Sequence, residues 1–334
     1  MSENNTGQGE NQGSKTGMGI EAPIGQPMNA YALLIGVGSC KYSEWSLPVT
    51  SLDARELGKV LADPGLCGYP KERIKIVSDE AATREGILAA VDELTDAAKA
   101  DPEATFFIYY SGHGWRHAED DEERYYLIPH DVRPFELTES ALPAQHFIDA
   151  LRRLRAQRVL VMVDTCHAAA MADAKNLAEA AIPREFAQEP LPKALFRELE
   201  SGKGRVVCLS CDEAQKSWIL PGEGSLSIFT HHLLEALRGV GSNPQDTSVT
   251  VSGLMKHLGR EIPASARKIG RQQTPFFRLA AQDFPVALVR GGKGLPAQQD
   301  QPTDQPASST RSVSVGTANA GKNVIVADTI GTVQ

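Results

Sequence analysis

Five short, mostly apolar runs alternate with segments of helical periodicity, and this alternation limits the possible folds more than any other feature of the chain. The longer runs are almost wholly apolar, as expected for strands that are buried on both faces of a sheet. Strands that alternate with helices form a mostly parallel central sheet with helices on both faces, so we predict one α/β domain. The runs are residues 31–37, 73–77, 104–110, 158–164 and 204–210.

The segments between and after these runs repeat apolar residues every three or four positions, which is typical of amphipathic helices. Thr83 stands where a helix cap is expected, directly before one such segment. Two more helices are predicted near the end of the domain. The segments centre on Leu52–Leu61, Ile87–Leu94, Phe147–Leu154, Ile228–Leu237 and Val251–Ile262.

Low-complexity sequence flanks the predicted domain, which we place at residues 29–290. Residues 1–28 are rich in Gly, Asn, Gln and Ser and predict a disordered leader. Residues 291–310 are rich in Gln, Pro and Gly and predict a linker. The tail at 311–334 differs, because it combines β-branched residues with Gly and Asn at low charge, a composition suited to cross-β stacking.

Composition excludes several classes of protein. The formal net charge of −8 argues against nucleic acid as a partner. The longest apolar runs are far shorter than the ~20 residues of a membrane helix, and the N-terminus does not resemble a secretory signal, so no membrane partner is expected. The chain has 5 cysteines without dense spacing, which argues against a disulfide scaffold and favours a reducing, cytoplasmic location.

Two potentially catalytic residues follow neighbouring strands of the predicted sheet. His113 lies between two glycines after the run 104–110, and Cys166 comes just after the run 158–164. Ligands of open α/β sheets bind beyond the carboxyl ends of the strands, so the thiol and the imidazole are expected to meet there. An imidazole activates a thiol as a nucleophile, and the backbone amides of Gly114 and Cys166 are candidates for an oxyanion hole. Peptide hydrolysis and other thiol chemistry, such as acyl transfer, both remain open at this point.

Several motifs resemble those of caspase-like peptidases, in particular bacterial caspase homologues and metacaspases. They are "FFIYYSGHG", "YYLIPHD" and "VLVMVDTCHA", and the later segments "GSLSIFTHHLLEALRG" and "VTVSGLMKHL" are similar to helices of the bacterial members. His113 precedes Cys166 by 53 residues, and the caspase spacing is about 50. The resemblance implies a caspase–haemoglobinase fold, with Cys166 as nucleophile and His113 as general acid and base.

One departure from animal caspases predicts the specificity. Asp164 stands two residues before Cys166, where animal caspases have Gln. In metacaspases an Asp there and a second Asp in an early motif line an acidic pocket, and the resemblance places Asp53 and Ser111 beside Asp164. Burying a pair of carboxylates costs free energy unless a cation compensates their charge, and an Arg side chain supplies such a cation. We therefore expect cleavage after Arg or Lys.

Other features support weaker expectations. The acidic run at residues 117–126 is either a solvated loop or a Ca²⁺ site, without the EF-hand pattern, and no cofactor is required otherwise. The Cys208-x-x-Cys211 spacing is interpreted as a strand end, so no metal site is assigned. The tail at 311–334 resembles short amyloid-type signalling motifs that bacterial effectors share with a receptor or adaptor.

The expected function is a cytoplasmic cysteine endopeptidase with protein substrates, and the resemblance to bacterial caspase homologues implies a regulated role in bacterial cell death or phage defence. The alternative is a non-catalytic signalling module that is recruited through its C-terminal tail. The intact His113 and Cys166 favour the peptidase.

Overall fold

The chain folds around a central sheet whose strands coincide with the apolar runs of the sequence. The computed structural model describes residues 27–117, 124–165, 182–202, 204–212, 215–222, 224–243, 245–278 and 283–289. Within these ranges no helix is both long and apolar enough to cross a membrane.

Twelve strands and seven helices lie in the described residues. The strands are β1 (Ala30–Gly36), β2 (Ile74–Ser78), β3 (Thr105–Gly112), β4 (Gly114–His117), β5 (Tyr125–Leu127), β6 (Leu142–Pro143), β7 (Arg158–Thr165), β8 (Phe186–Gln188), β9 (Arg205–Leu209), β10 (Ser248–Thr250), β11 (Phe276–Phe277) and β12 (Pro285–Leu288). The helices are α1 (Pro48–Ala62), α2 (Arg84–Ala100), α3 (Leu137–Ser140), α4 (Ala144–Arg153), α5 (Lys193–Glu200), α6 (Ile228–Leu237) and α7 (Val251–Lys268).

The central sheet has six strands in the order β11-β9-β7-β3-β1-β2. All neighbouring pairs are parallel except β11 and β9, which are antiparallel. The two middle strands β3 and β7 are buried at nearly every position, as their apolar sequences predict. The predicted mostly parallel sheet is therefore confirmed.

Helices cover both faces of this sheet and bury a separate hydrophobic cluster on each. One cluster joins the sheet to α2, α4 and α5, and the other joins it to α1, α6 and α7. Successive side chains of a strand point to opposite faces. On β3, Ile108 and Tyr110 therefore pack in the first cluster, whereas Phe107 and Tyr109 pack in the second. The same alternation determines to which face of the sheet each side chain at a strand end points.

The helix starts follow local capping chemistry. Thr83 accepts a hydrogen bond from the Gly86 N–H (2.9 Å), so the predicted cap of α2 is present. Ser227 caps α6 in the same way, through the Thr230 N–H (2.9 Å). Each cap satisfies one of the backbone donors that a helix leaves unpaired at its N-terminus.

The last helix is longer than the sequence predicts. The apolar periodicity predicts a helix over Val251–Ile262, and Pro263 directly after it lacks a backbone donor and crowds the preceding turn. The structure continues α7 through Pro263 to Lys268. Ile262 and Ala266 are both fully buried, so the apolar face of the helix extends beyond the proline and its packing outweighs the local cost.

Two small antiparallel sheets were not predicted. One has the strand order β6-β5-β4-β8, and the other pairs β10 with β12. Their strands contain only two to four residues, which is too short for a clear alternating pattern. The four-stranded sheet matters for function because β4 begins one residue after His113.

Candidate functional site

The strand ends meet at one edge of the central sheet, as the parallel topology requires. Ser111 near the end of β3 lies directly between Gly36 of β1 and Asp164 of β7 in the strand register. Beyond β9, the Ser210 N–H donates to the Val163 carbonyl (2.9 Å) and extends this row by one strand. The edge therefore presents a small residue, a hydroxyl and a carboxylate on neighbouring strands, where ligands of α/β sheets bind.

Asp53 and Asp164 lie close together and are both fully buried. Asp53 reaches the site from α1, and its Oδ1 accepts a hydrogen bond from the Ser227 N–H (3.1 Å) at the start of α6. Asp164 Oδ1 accepts a hydrogen bond from the Ser217 hydroxyl (2.7 Å). Among the described residues, neither Oδ2 atom has a hydrogen-bond partner, and the same holds for the Ser111 hydroxyl. The site thus presents three buried polar oxygens that its own described residues do not satisfy.

The charges of this acidic pocket are uncompensated. Burial raises the pKa of Asp53 well above its usual range, and the neighbouring charge of Asp164 raises it further. The hydrogen bonds from Ser227 and Thr230 act in the opposite direction but are smaller in effect. In the part of the chain that the structure describes, no Lys, Arg or His side chain forms an ion pair with either carboxylate.

Tyr109 forms the floor of the pocket and remains neutral. Its hydroxyl is hydrogen-bonded to the Thr230 hydroxyl (2.6 Å), and it is fully buried. Burial raises the pKa of Tyr109 well above its usual range, and the charges of Asp53 and Asp164 add to the effect. A neutral phenol carries no positive charge, so it cannot compensate the negative charge of the carboxylates. A compensating cation would have to come from outside the described residues.

A glutamine that the sequence analysis missed holds the Asp164 side of the pocket in place. The Gln273 amide donates to the Ser210 carbonyl (3.0 Å) and to the Ser217 hydroxyl (3.3 Å). Its Oε1 accepts a hydrogen bond from the Trp218 N–H (3.0 Å). Gln273 is buried and lies just before β11. A polar residue beside a short apolar strand was the sequence signal that could have identified it as a site residue.

His113 lies at the other side of the strand edge, between β3 and β4. The ring is buried, and its Nε2 is 3.0 Å from the Trp45 carbonyl oxygen. A carbonyl only accepts hydrogen bonds, so Nε2 carries the proton and Nδ1 is the basic nitrogen of the neutral ring. Trp45 and Trp115 pack edge to face nearby, with ring centroids 4.6 Å apart. The imidazole therefore has a fixed tautomer, set by a backbone carbonyl that no sequence pattern indicates.

Gly114 is required by close packing. A Cβ atom at this position would collide with the Tyr125 hydroxyl and lie 2.9 Å from the Thr165 side chain. The backbone directly after His113 therefore approaches the end of β7 closely. The proposed contribution of the Gly114 amide to an oxyanion hole remains a prediction.

Several predicted features lie outside the described residues. Cys166 is one of them, although it directly follows Thr165, which lies opposite Gly112 in the register of β7 and β3. The acidic run falls largely in 118–123, and the linker and tail fall in 290–334, so the calcium site and the signalling motif stay predictions. Residues 1–26 of the predicted leader are also outside the description.

The four cysteines that the structure describes are free and buried, namely Cys40, Cys67, Cys208 and Cys211. Burial raises the pKa of Cys40, Cys67 and Cys211 to about 12 in each case. For Cys211 the charge of Asp164 contributes as well, which places this residue near the acidic pocket. These groups are thiols at neutral pH, so none of the four is a candidate nucleophile.

The comparison with known families agrees with this architecture. The model of peptidase family C14, described as the caspase domain, matches residues 29–284. No curated protein sequence matches the chain significantly. The match covers most of the chain and every residue of the site, including Cys166 and His113, and it implies protein substrates. The α/β fold described above is therefore a caspase–haemoglobinase fold, and the chain belongs to the caspase-domain family of cysteine peptidases.

Proposed function

We propose that the protein is a cysteine endopeptidase that cleaves peptide bonds after Arg or Lys. The observation that carries the proposal is the pair of fully buried carboxylates, Asp53 and Asp164, with no cationic partner among the described residues. Burying two carboxylates side by side makes their charged forms unfavourable, and a cationic ligand that enters the pocket would stabilise them.

An arginine side chain suits this pocket. Each carboxylate already uses its Oδ1 for a hydrogen bond from the protein, which leaves both Oδ2 atoms and the Ser111 hydroxyl oxygen as acceptors. A guanidinium group offers five N–H donors in a planar fork, so it can donate to several acceptors at once. Lysine supplies the same charge with three donors, so it is expected to be the second-best residue.

The catalytic step uses the dyad of Cys166 and His113. His113 takes the proton of the Cys166 thiol at Nδ1, and the thiolate attacks the carbonyl carbon and forms an S–C bond, while backbone amides of Gly114 and Cys166 stabilise the oxyanion. His113 then gives its proton to the leaving amine as the C–N bond breaks. Water, deprotonated by the same imidazole, attacks the thioester carbonyl; the C–S bond breaks, and the imidazolium returns its proton to the thiolate, which restores the free enzyme.

The Trp45 carbonyl supports this assignment for His113. It fixes the ring through Nε2 (3.0 Å), so that Nδ1 exchanges protons and the imidazolium that forms is stabilised by a carbonyl dipole. A base that is oriented by a third group is the general arrangement of nucleophilic catalysis.

The biological part of the proposal is a regulated effector in bacterial cell death or phage defence, recruited through residues 311–334. The role derives from the resemblance to bacterial caspase homologues, and the recruitment from the resemblance of the tail to short signalling motifs and from the Gln/Pro/Gly-rich composition of residues 291–310. Calcium dependence through the acidic run at 117–126 is a second, separate proposal.

A peptide assay tests the enzymatic proposal. Fluorogenic peptides that end in Arg, Lys or Asp are incubated with the native chain and with Cys166→Ala. We expect turnover of the Arg and Lys peptides by the native chain alone. Preference for the Asp peptide would contradict the pocket assignment, and activity that survives in Cys166→Ala would contradict the mechanism.

A further inference from the structure

Three histidines surround one glutamate where α6 packs on α7. Glu235 Oε2 lies 2.6 Å from His232 Nδ1 and 3.4 Å from His257 Nε2, and its Oε1 lies 3.5 Å from His231 Nε2. His231, His232 and Glu235 belong to α6, and His257 belongs to α7. The proposed peptidase chemistry uses none of these four side chains.

The ligand atoms of His231, His232 and Glu235 have the spacing of a metal site. All of them lie within 4.8 Å of one another. Zinc bonds of 2.0–2.1 Å in a tetrahedron place neighbouring ligand atoms about 3.4 Å apart. The distance between His231 Nε2 and Glu235 Oε1 (3.5 Å) already matches this spacing. The distance between His232 Nδ1 and Glu235 Oε2 is shorter, and it would lengthen when a metal replaces the proton that these two atoms share.

The groups around these three residues would orient them as ligands. The His232 Nε2 is 2.8 Å from the Ser265 hydroxyl, which can accept a hydrogen bond from Nε2–H once a metal displaces the proton that Nδ1 shares with Glu235. The His257 Nε2 faces the carboxylate of Glu235 from α7. Metal-binding histidines and carboxylates usually have such hydrogen-bond partners, which fix the ring and raise its basicity.

The charge and exposure of the cluster also suit a cation. Within the described residues no lysine or arginine forms an ion pair with Glu235, whose partners are all imidazoles. His232 and His257 are buried, but the His231 side chain is 41% exposed and leaves a route from solvent.

We propose that His231, His232 and Glu235 bind a divalent transition metal ion, with water as the fourth ligand and with Ser265 and His257 as supporting hydrogen-bond partners. Two imidazoles and one carboxylate favour zinc among the common ions, whereas calcium and magnesium prefer sites made of oxygen ligands alone. The metal would fix α6 against α7 through these supporting contacts. It would thereby stabilise the helix whose first residues, Ser227 and Thr230, contact the acidic pocket.

The test measures zinc binding to the full chain in the Cys166→Ala background, because a catalytic thiolate is itself a zinc ligand. Isothermal titration with Zn²⁺ should show one site, and the Co²⁺ form should give the intense visible absorption of a tetrahedral complex. The melting temperature should rise by about 5 °C in excess Zn²⁺ and return with a chelator.

Four variants in that background locate the site. His231→Ala and Glu235→Gln remove ligands and should lower zinc affinity by more than about tenfold, and His257→Ala should lower it by about tenfold. His146→Ala removes an exposed imidazole on α4 and should leave affinity unchanged. His231 is the most exposed ligand, so its variant is expected to fold. Absent zinc binding, or binding to His231→Ala as tight as to His146→Ala, would overturn the proposal.

Discussion

Two carboxylates lie near the two ends of helix α6: Asp53 contacts its N-terminal cap, and Glu235 is part of the helix itself. Their surroundings shift the two pKa values in opposite directions. At its N-terminus the Ser227 N–H donates to Asp53, whose pKa is raised by burial and by the charge of Asp164. Two turns later Glu235 receives contacts from three histidines, and its pKa is lowered. The first carboxylate lacks a cationic partner among the described residues, whereas the second is surrounded by groups that stabilise its charge.

The difference distinguishes a carboxylate without a cationic partner among the described residues from one that three imidazoles contact. A buried carboxylate without a cationic partner reduces the stability of the fold when it is ionised, so its presence points to a role other than folding. Glu235 and its histidines instead connect two helices and add to stability. Removing the charge of Asp53 should therefore raise the stability of the fold, whereas removing the charge of Glu235 should lower it.

The largest loss of peptidase activity is expected when a residue of the proposed catalytic dyad is replaced. Cys166→Ala and His113→Ala should each abolish hydrolysis of Arg peptides while the protein stays folded. The double variant should be no worse than either single one, because the two groups act as a unit. Circular dichroism and peptide assays check this, and more than a few per cent of residual activity in Cys166→Ala would refute the mechanism.

Removal of a pocket charge should be the next largest effect. Asp164→Asn keeps the shape of the side chain but removes its charge, so kcat/KM for Arg peptides should fall by about a hundredfold or more. Asp149→Asn, on the exposed face of α4, is the matched control and should have no effect. Equal losses in the two variants would mean that Asp164 does not bind the basic side chain.

The contrast between the two ends of α6 predicts opposite changes in stability. The raised pKa of Asp53 means that its ionised form costs folding free energy, increasingly as the pH rises above the normal carboxyl range. Asp53→Asn should therefore raise the melting temperature at pH 7 and lower Arg cleavage. The lowered pKa of Glu235 has the reverse sign, so its contribution is present at pH 7 and is lost in acid.

Glu235→Gln should accordingly lower the melting temperature at pH 7, by a few degrees. Melting curves of both variants from pH 3 to pH 8 check the pair. The comparison breaks down if Asp53→Asn and Glu235→Gln change stability in the same direction at pH 7.

A smaller effect is expected where a residue only positions the pocket. Gln273→Ala leaves both carboxylates intact but frees the Ser217 hydroxyl that donates to Asp164. We expect KM for Arg peptides to rise several-fold with little change in kcat, since orientation of Asp164 affects binding of the basic side chain. An unchanged KM in steady-state kinetics would show that Ser217 holds Asp164 without help.

The smallest effect on the isolated enzyme is expected from truncation at about residue 295. The acidic pocket and the α6 cluster both precede this point, so peptide hydrolysis in vitro should be retained. Activation by a partner in cells should be lost, because residues 311–334 are the proposed recruitment motif. Loss of in vitro hydrolysis after truncation would contradict recruitment and would make the tail part of the folded enzyme.

Much of the fold follows from the sequence because its signals are local. Apolar runs at 104–110 and 158–164 predicted the two central strands, and Thr83 predicted a helix start, since each depends on neighbouring residues only. The length of α7 beyond Pro263 did not follow, because contacts with distant residues outweigh the local signal there. The short strands β4 to β6 were missed because two to four residues are too few for a clear alternating pattern.

The sequence by itself determined the chemical groups and the strands that carry them: His113, Asp164 and Asp53 each sit in a recognisable local pattern. Only the tertiary structure decided what surrounds them. The Trp45 carbonyl that orients His113 has no sequence signature, because every residue has a carbonyl. Gln273 is 109 positions from Asp164 in the chain, and His257 is 22 positions from Glu235. Contacts of this kind form when packed helices and strands bring distant residues together, so their physical basis is the fold and not the local sequence.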